Sequence, residues 1–222
     1  MSGTDTGAIA ARVAEVRDRI DAAARAAGRD PQDVRLVAAT KTQPVEAVRA
    51  VVAAGVVDVG ENRAQELVAK APALADTDAA WHFIGRLQRN KVNQLAPWVR
   101  WWQSVDRAEL VDALAVRVAG ARILVEVNVA GEAQKGGCAP ADASVLVDRA
   151  RAGGLEPVGL MTVAPAAGDP RPTFAALRAL AARLGLAELS MGMTGDYEAA
   201  IAEGATVVRL GTALFGPRLP VA

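Results

Sequence analysis

Residues 35–45 read R-L-V-A-A-T-K-T-Q-P-V. The apolar run from Leu36 to Ala39 predicts a short strand that is covered on both faces. Lys41 follows at the C-terminal end of this strand, and Pro44 ends the extended run before a segment with helical spacing. A lysine at the junction of a buried strand and a loop can lose hydration and act as a Schiff-base nucleophile. A strand-end lysine that simply reaches solvent is the alternative.

Strand and helix signals alternate along the rest of the chain. Each predicted strand is short and apolar, and they cover 35–41, 56–62, 80–85, 101–106, 122–129, 157–163, 189–194 and 207–215. The helices between them are predicted at 44–54, 63–74, 88–97, 107–118, 140–152, 172–184 and 196–203. Eight β/α units in one chain predict a (β/α)₈ TIM barrel, an α/β fold with a parallel sheet.

A doubly wound open sheet is the alternative architecture, but no glycine-rich nucleotide motif follows the first strand. An additional helix is predicted at about 9–27, because Ile9, Val13, Val16 and Ile20 share one helical face. We therefore expect one domain over residues 1–222, with the barrel at about 35–216.

Composition excludes several classes of function. The formal net charge is zero, so the chain has no field to attract nucleic acid or an anionic membrane. No apolar run is long enough for a membrane span, and the first residues lack a secretory signal pattern. The single cysteine, Cys138, and single histidine argue against a disulfide and a zinc site. We expect a cytoplasmic protein without a metal.

The loops after the seventh and eighth strands are predicted to form a phosphate site, because this is the usual phosphate position in such barrels. They combine glycines, two hydroxyls and the start of a helix whose amides could bind an anion, at Gly192, Gly195, Gly211, Gly216, Thr194, Thr212 and Asp196. Thr-Gly-Asp is also ordinary chemistry for a helix start. His82 alternates with apolar neighbours, so a buried core histidine and a ligand contact are both open.

A lysine on the first strand opposite a phosphate site fits one cofactor, pyridoxal 5′-phosphate (PLP). The aldehyde would bond to Lys41 and the phosphate would lie in the glycine-rich loops. Arg209 could reach the ring nitrogen. A cationic partner would keep that nitrogen unprotonated and make the ring a poor electron sink.

The chain also resembles a known family, the small pyridoxal phosphate homeostasis proteins (YggS/PROSC), along nearly its whole length. These are single barrels of the alanine racemase N-terminal-domain type. The motifs that carry the resemblance are V-A-A-T-K-T-Q-P, G-E-N-R-A-Q-E, W-H-F-I-G-R-L-Q-R-N-K, S-V-D, V-N-V-A-G-E-A-Q-K-G-G, G-L-M-T, S-M-G-M-T-G-D-Y-E-A-A-I and V-R-L-G-T-A-L-F-G.

By position, the resemblance implies that Lys41 is the cofactor lysine and that Arg209 contacts the ring nitrogen. It implies that Asn62 and His82 lie near the ring. The residues that it places around the phosphate are Ser190, Met193, Thr194, Gly211 and Thr212. Two positions depart from the family: many members have serine where Thr194 stands, and some have a second lysine where Gln43 stands.

The resemblance implies a PLP carrier for vitamin B6 homeostasis without established catalytic activity and without catalytic residues. We expect a monomer that contacts PLP-dependent apoenzymes transiently. A weak PLP-dependent amino-acid racemase or lyase is the alternative, but it needs a second acid/base, and the only tyrosine, Tyr197, is predicted to face away. A cofactor-free aldolase that uses Lys41 would leave Arg209 unexplained.

Overall fold

Eight parallel strands form a closed barrel in the order in which they occur in the chain. The computed structural model describes residues 5–217. β1 pairs with β2 on one side and with β8 on the other, and this pairing closes the sheet and excludes the open-sheet alternative. The strands are β1 Arg35–Ala39, β2 Asp58–Glu61, β3 Ala80–Phe83, β4 Val99–Val105, β5 Arg122–Glu126, β6 Glu156–Met161, β7 Glu188–Ser190 and β8 Val207–Leu210.

Helices surround the barrel and cover the outward face of the strands. They are α1 Thr6–Ala26, α2 Val45–Ala53, α3 Ala64–Lys70, α4 Val92–Leu95, α5 Ala108–Arg117, α6 Ala143–Ala152, α7 Arg171–Leu184, α8 Tyr197–Ala202 and α9 Thr212–Phe215. The main apolar core lies between this layer and the strands. A second, small cluster of Trp101, Leu124 and Met161 fills part of the barrel interior.

The additional N-terminal helix is confirmed and begins somewhat earlier than predicted. The side chain of Asp5 caps α1 by accepting a hydrogen bond from the Ala8 amide at 2.9 Å. Ile9, Val13 and Val16 are all buried on the face that packs against α2, α8 and α9. Among the described residues no helix is both long and apolar enough to cross a membrane.

The strand ends differ most from the predictions. The eighth strand stops at Leu210, and Thr212–Phe215 forms helix α9, so the predicted extension to residue 215 is wrong. Its cause is local, because the amides of Leu214 and Phe215 both donate to the carbonyl of Gly211. The first strand stops at Ala39, which places Lys41 in the following turn. That residues 1–222 form one domain stays a prediction.

Candidate functional site

A cavity of about 350 Å³ opens where β1, β7 and β8 end. Lys41 reaches it from the turn after β1, and Arg209 reaches it from β8. A larger surface groove of about 690 Å³ lies beside α5 and includes no strand-end residue of these three strands. The smaller cavity therefore contains residues predicted for the site at the C-terminal ends of the strands. Its wall consists of Ala39, Lys41, Gln43, Met193, Thr194, Gly195, Arg209, Gly211, Thr212 and Gly216.

The turn that carries Lys41 has a constrained backbone. Thr42 has a φ of 65°, and it is the only non-glycine residue with positive φ among residues 5–217. This left-handed conformation costs a residue with a β-branched side chain of the order of 1–2 kcal/mol. The amide of Thr42 donates to Glu66 Oε2 at 2.7 Å, and this bond from α3 holds the turn in place. The strain is thus balanced by a contact next to the predicted cofactor lysine.

A buried ionic network, consisting of Thr40, Glu61, Glu66 and Lys70, supports the same turn from below. Lys70 Nζ donates to the Thr40 carbonyl at 2.9 Å and to Glu61 Oε1 at 2.5 Å. It also lies 3.2 Å from Glu66 Oε2. The hydroxyl of Thr40 donates to Glu61 Oε1 at 2.8 Å. Because the Glu61 side chain is 0% exposed, Lys70 is the cation that makes its burial tolerable.

Arg209 is a buried cation whose guanidinium is fixed inside the barrel. Its Nη1 donates to Ser190 Oγ at 2.6 Å, and its Nη2 donates to the Thr162 carbonyl at 2.9 Å. Burial lowers the pKa of Arg209 to about 10, while the charges of Glu126 and Asp196 act in the opposite direction. The group therefore stays protonated at neutral pH, and it can only donate hydrogen bonds.

The loops after β7 and β8 meet on the other side of the cavity. The Ala213 amide lies 3.4 Å from Thr194 Oγ1, which joins the β7 loop to the start of α9. A Cβ atom added to Gly195 would meet nothing within 4 Å, so the backbone there faces open space. Gly192 has a φ of 94°, and an added Cβ atom would lie 2.7 Å from Ala200 Cβ. These loops thus present hydroxyls and exposed backbone to the cavity.

One part of the predicted phosphate site needs correction. The amides of Asp196 and Tyr197 donate to the Met193 carbonyl at 3.0 and 2.9 Å. The Asp196 carboxylate in turn accepts from the Met193 amide at 2.6 Å. Asp196 therefore closes its own turn, and these two amides at the start of α8 are not available to an anion. That the Thr194 and Thr212 side contacts an anion stays a prediction.

This chain matches known proteins along nearly its whole length. Residues 7–219 match the family described as alanine racemase, N-terminal domain. A protein of Pseudomonas aeruginosa named "Pyridoxal phosphate homeostasis protein" is 46% identical, over 95% of this chain and 96% of its own length. This chain belongs to the pyridoxal phosphate homeostasis protein family. The resemblance seen in the sequence motifs is confirmed.

Further members of the homeostasis protein family show the same relationship. A relative of the same name from Aquifex aeolicus is 42% identical over 93% of this chain and 97% of its own length. The solved structure of PipY from Synechococcus elongatus, described with PLP bound, has a TM-score of 0.80 and 33% identity. That match covers 94% of this chain and all of PipY. The predicted barrel fold of this family is thereby confirmed as well.

Two residues that the family resemblance placed near the cofactor ring do not line the cavity. Asn62 follows β2, and its Oδ1 is buried without a hydrogen-bond partner among the described residues. His82 is fully buried, and each of its ring nitrogens lies within hydrogen-bond distance of a protein side chain, Asp58 or Gln103. His82 therefore occupies a core position in this structure, and its place near the cofactor ring stays a prediction.

Ser190 also lies behind the cavity wall, while six of the predicted site residues lie on it. Ser190 is 0% exposed and contacts Arg209 directly, so its place is between the cavity and the barrel interior. The predicted residues that do line the cavity are Lys41, Met193, Thr194, Arg209, Gly211 and Thr212.

Sequence reasoning missed several polar residues of this family member. Gln103 is fully buried in the W-W-Q-S-V segment of β4, and a polar residue inside so apolar a strand was the available signal. Glu126 ends β5 near Arg209, and burial, followed by the charge of Asp106, raises its pKa to about 7. The pairing of Lys70 with Glu61 was missed as well, because it depends on how α3 packs on β2.

Cys138 is a buried and weakly acidic thiol. Burial, followed by the charge of Asp142, raises the pKa of Cys138 to about 12, so it is a poor nucleophile at neutral pH. Among the described residues, no group of three or more histidine, cysteine, aspartate or glutamate side chains could hold a metal ion.

Proposed function

We propose that this chain binds PLP as a Schiff base on Lys41 and serves PLP homeostasis. One observation carries the proposal: a single cavity brings together Lys41, the buried cation Arg209 and the hydroxyls of Thr194 and Thr212. The amine can bond to an aldehyde, the cation can donate a hydrogen bond to a ring nitrogen, and the two hydroxyls can donate to a phosphate. The volume of about 350 Å³ lies at the lower end of the range of small-molecule sites, roughly 300–1,000 Å³.

The relatives support the same cofactor and role. PipY is described with PLP bound, and the curated relatives are named for PLP homeostasis. When bound, PLP supplies an aldehyde for a Schiff base and a pyridine ring that serves as an electron sink in enzymes. The buried Oδ1 of Asn62, which follows β2 next to β1, is a further polar atom suited to a ligand.

The residues of this chain favour a carrier over an enzyme. Arg209 is held as a hydrogen-bond donor, so a ring nitrogen opposite it must accept and stays unprotonated. Racemisation needs an acid and a base on opposite faces of the substrate carbon. Tyr197, the only tyrosine, is 2% exposed, packs against Arg19 of α1 and is not part of the cavity wall. No observation favours the racemase or lyase alternative.

Covalent labelling tests the assignment of Lys41. Purified protein loaded with PLP is reduced with borohydride, digested and mapped by mass spectrometry, and we expect the pyridoxyl group on Lys41. Because Gln43 replaces the second lysine of some relatives, Lys41→Ala should abolish the visible absorbance band of the Schiff base. The variant Lys91→Ala is the matched control and should keep it. A label on Lys70, Lys91 or Lys135 would refute the assignment.

A transfer assay tests the carrier role. Loaded protein is mixed with a PLP-dependent apoenzyme, and the recovered enzyme activity measures transfer through the transient contact that we propose. In parallel, exchange of the α-proton of L-amino acids in deuterated water is followed by NMR. Exchange at about 1 per second or faster would be enzyme-like and would overturn the carrier role.

We further propose that the protein works in the cytoplasm as a monomer. The single cysteine supports a reducing compartment. Sedimentation equilibrium measures the oligomeric state directly, and a stable dimer would contradict the monomer.

A further inference from the structure

A continuous series of side-chain hydrogen bonds crosses the barrel interior behind Arg209. Arg209 Nη1 donates to Ser190 Oγ at 2.6 Å, and Ser190 Oγ donates to Gln103 Oε1 at 2.6 Å. Gln103 Nε2 lies 2.7 Å from His82 Nδ1. His82 Nε2 lies 2.8 Å from Asp58 Oδ1. These five residues, which we call the interior network, come from five strands and connect the cavity to the opposite end of the barrel.

The network is unusual for its location. The interior of such a barrel is normally filled by branched apolar side chains. Here His82, Gln103 and Ser190 are each 0% exposed, and Arg209 is 5% exposed. Buried polar groups are costly unless each one is paired, so a partly satisfied network would be worse than an apolar core. Every member of this network is paired, so removing one member would leave its neighbour with an unpaired buried polar group.

Chemistry allows only one direction for these bonds. Arginine can only donate, so Ser190 must accept from Arg209 and pass its own hydrogen to Gln103. The Gln103 amide is thereby oriented with Oε1 towards Ser190 and its NH₂ group towards His82. His82 Nδ1 must then accept, so its proton lies on Nε2 and is donated to the Asp58 carboxylate. The tautomer of His82 thus follows from the donors and acceptors alone.

The far end of the network is fixed by its surroundings. The ring of Trp101 stacks on His82 with centroids 5.5 Å apart and an interplanar angle of 3°. Arg35 Nε lies 3.7 Å from Asp58 Oδ2, and Glu188 is the other charged group near His82. Burial lowers the pKa of His82, and the hydrogen bond to Asp58 only partly opposes this effect. The imidazole is therefore neutral at neutral pH, as the bond directions require.

We propose that Gln103 and His82 are positioning residues that hold Arg209 in place as the donor to the ligand ring nitrogen. This inference rests on the proposed function, because Arg209 is assigned to PLP. It predicts that the two ends of the network are coupled. A ligand that binds at Arg209 should change the NMR signals of His82, although His82 does not line the cavity. A substitution of Gln103 should change the affinity for the ligand.

The single histidine of the chain makes the direct test simple. Protein labelled with ¹⁵N-histidine gives the signals of one imidazole, and long-range ¹H–¹⁵N spectra identify its tautomer. In the ligand-free protein at neutral pH we expect the Nε2–H form. Addition of PLP should shift the Nδ1 resonance. An Nδ1–H tautomer, an imidazolium, or resonances that do not move on PLP binding would each overturn the inference, and none of these measurements needs a variant.

Variants separate positioning from a merely structural role. Gln103→Glu replaces the donor to His82 by an acceptor, while Asp58 still accepts from Nε2. We therefore expect His82 to gain a second proton on Nδ1, and PLP binding to weaken about tenfold. Met161→Leu, a volume-conserving change in the interior cluster, is the matched control and should alter neither. If Gln103→Glu lowers only the unfolding free energy and leaves PLP affinity and the His82 resonances unchanged, the positioning role is refuted.

The test distinguishes this inference from the proposed function. Absence of a Schiff-base absorbance band in wild-type protein would refute PLP binding itself. A normal band together with an unresponsive His82 would refute only the coupling.

Discussion

Replacement of Lys70 by methionine should destabilise the protein strongly. Methionine keeps most of the volume of the lysine stem but removes the cation that bonds to Glu61, and the Glu61 side chain is 0% exposed. It also removes the donor to the Thr40 carbonyl at 2.9 Å. Breaking a buried pair by removing one partner costs about 3–5 kcal/mol, because an uncompensated charge remains. We expect Lys70→Met to lower the free energy of unfolding by that amount.

Urea unfolding of the ligand-free protein, followed by tryptophan fluorescence, measures this loss. The double variant Glu61→Gln with Lys70→Met leaves neither charge buried, and it should recover most of the lost stability. Lys91→Met, outside the network, is the control and should change the unfolding free energy by less than about 0.5 kcal/mol. A loss below about 1 kcal/mol for Lys70→Met would show that the pair behaves like a solvent-exposed one and would refute the reasoning.

The pH dependence of the same variant gives a second check. Burial raises the pKa of Glu61 even with Lys70 present, and Lys70 opposes this effect. Without the lysine, the pKa in the folded state should rise further above the unfolded value. A group with a raised pKa contributes stability at low pH that is lost as the pH rises through its folded-state pKa. The deficit of Lys70→Met should therefore shrink in acid, and a deficit that grows in acid would contradict this account.

Three further predictions concern Thr212 of the cavity wall and two residues outside that wall, Glu126 and Gly192. Thr212→Val should weaken PLP binding about tenfold, since it removes a hydroxyl to a charged group, while Thr212→Ser should retain binding in the same titration. Because the pKa of Glu126 is raised to about 7, the wild-type protein should lose stability as the pH rises through that value. Glu126→Gln should not show this loss, and the free energy of unfolding of ligand-free protein, measured on both sides of that pH, tests the difference. Gly192→Ala should destabilise by about 1–3 kcal/mol, because its Cβ atom would lie 2.7 Å from Ala200 Cβ. Gly195→Ala, with open space at its Cβ, should leave the unfolding free energy unchanged, and equal losses in the two glycine variants would refute the steric argument.

The sequence by itself determined the barrel architecture and the residues that line the cavity at the strand ends. Regular alternation of short apolar strands with helices specifies a parallel barrel, because each β/α unit must return to start the next parallel strand. The ends of those strands converge on one face, so the order of the strands was enough to bring Lys41, Arg209 and Thr212 together. The motifs around them were specific enough to indicate the family.

Strand ends were less well determined. The apolar run V-V-R-L-G-T-A-L-F suits either a strand or a buried helix, and periodicity cannot separate the two over a few residues. In the structure β8 stops at Leu210, and the hydrogen bonds of Leu214 and Phe215 to the Gly211 carbonyl start α9 there.

The polar interior was decided by tertiary structure alone. Gln103 and Ser190 are separated by 87 positions in sequence, yet their side chains are 2.6 Å apart. Whether a strand residue faces the interior, and at which depth, depends on strand tilt, register and local irregularities such as the one between Trp102 and Val105 in β4. The pairing of Lys70 with Glu61 likewise requires that α3 packs against β2. The first contact joins β4 to β7 across the closed barrel, and the second depends on helix packing within one β/α unit. A local sequence pattern carries no information about either arrangement.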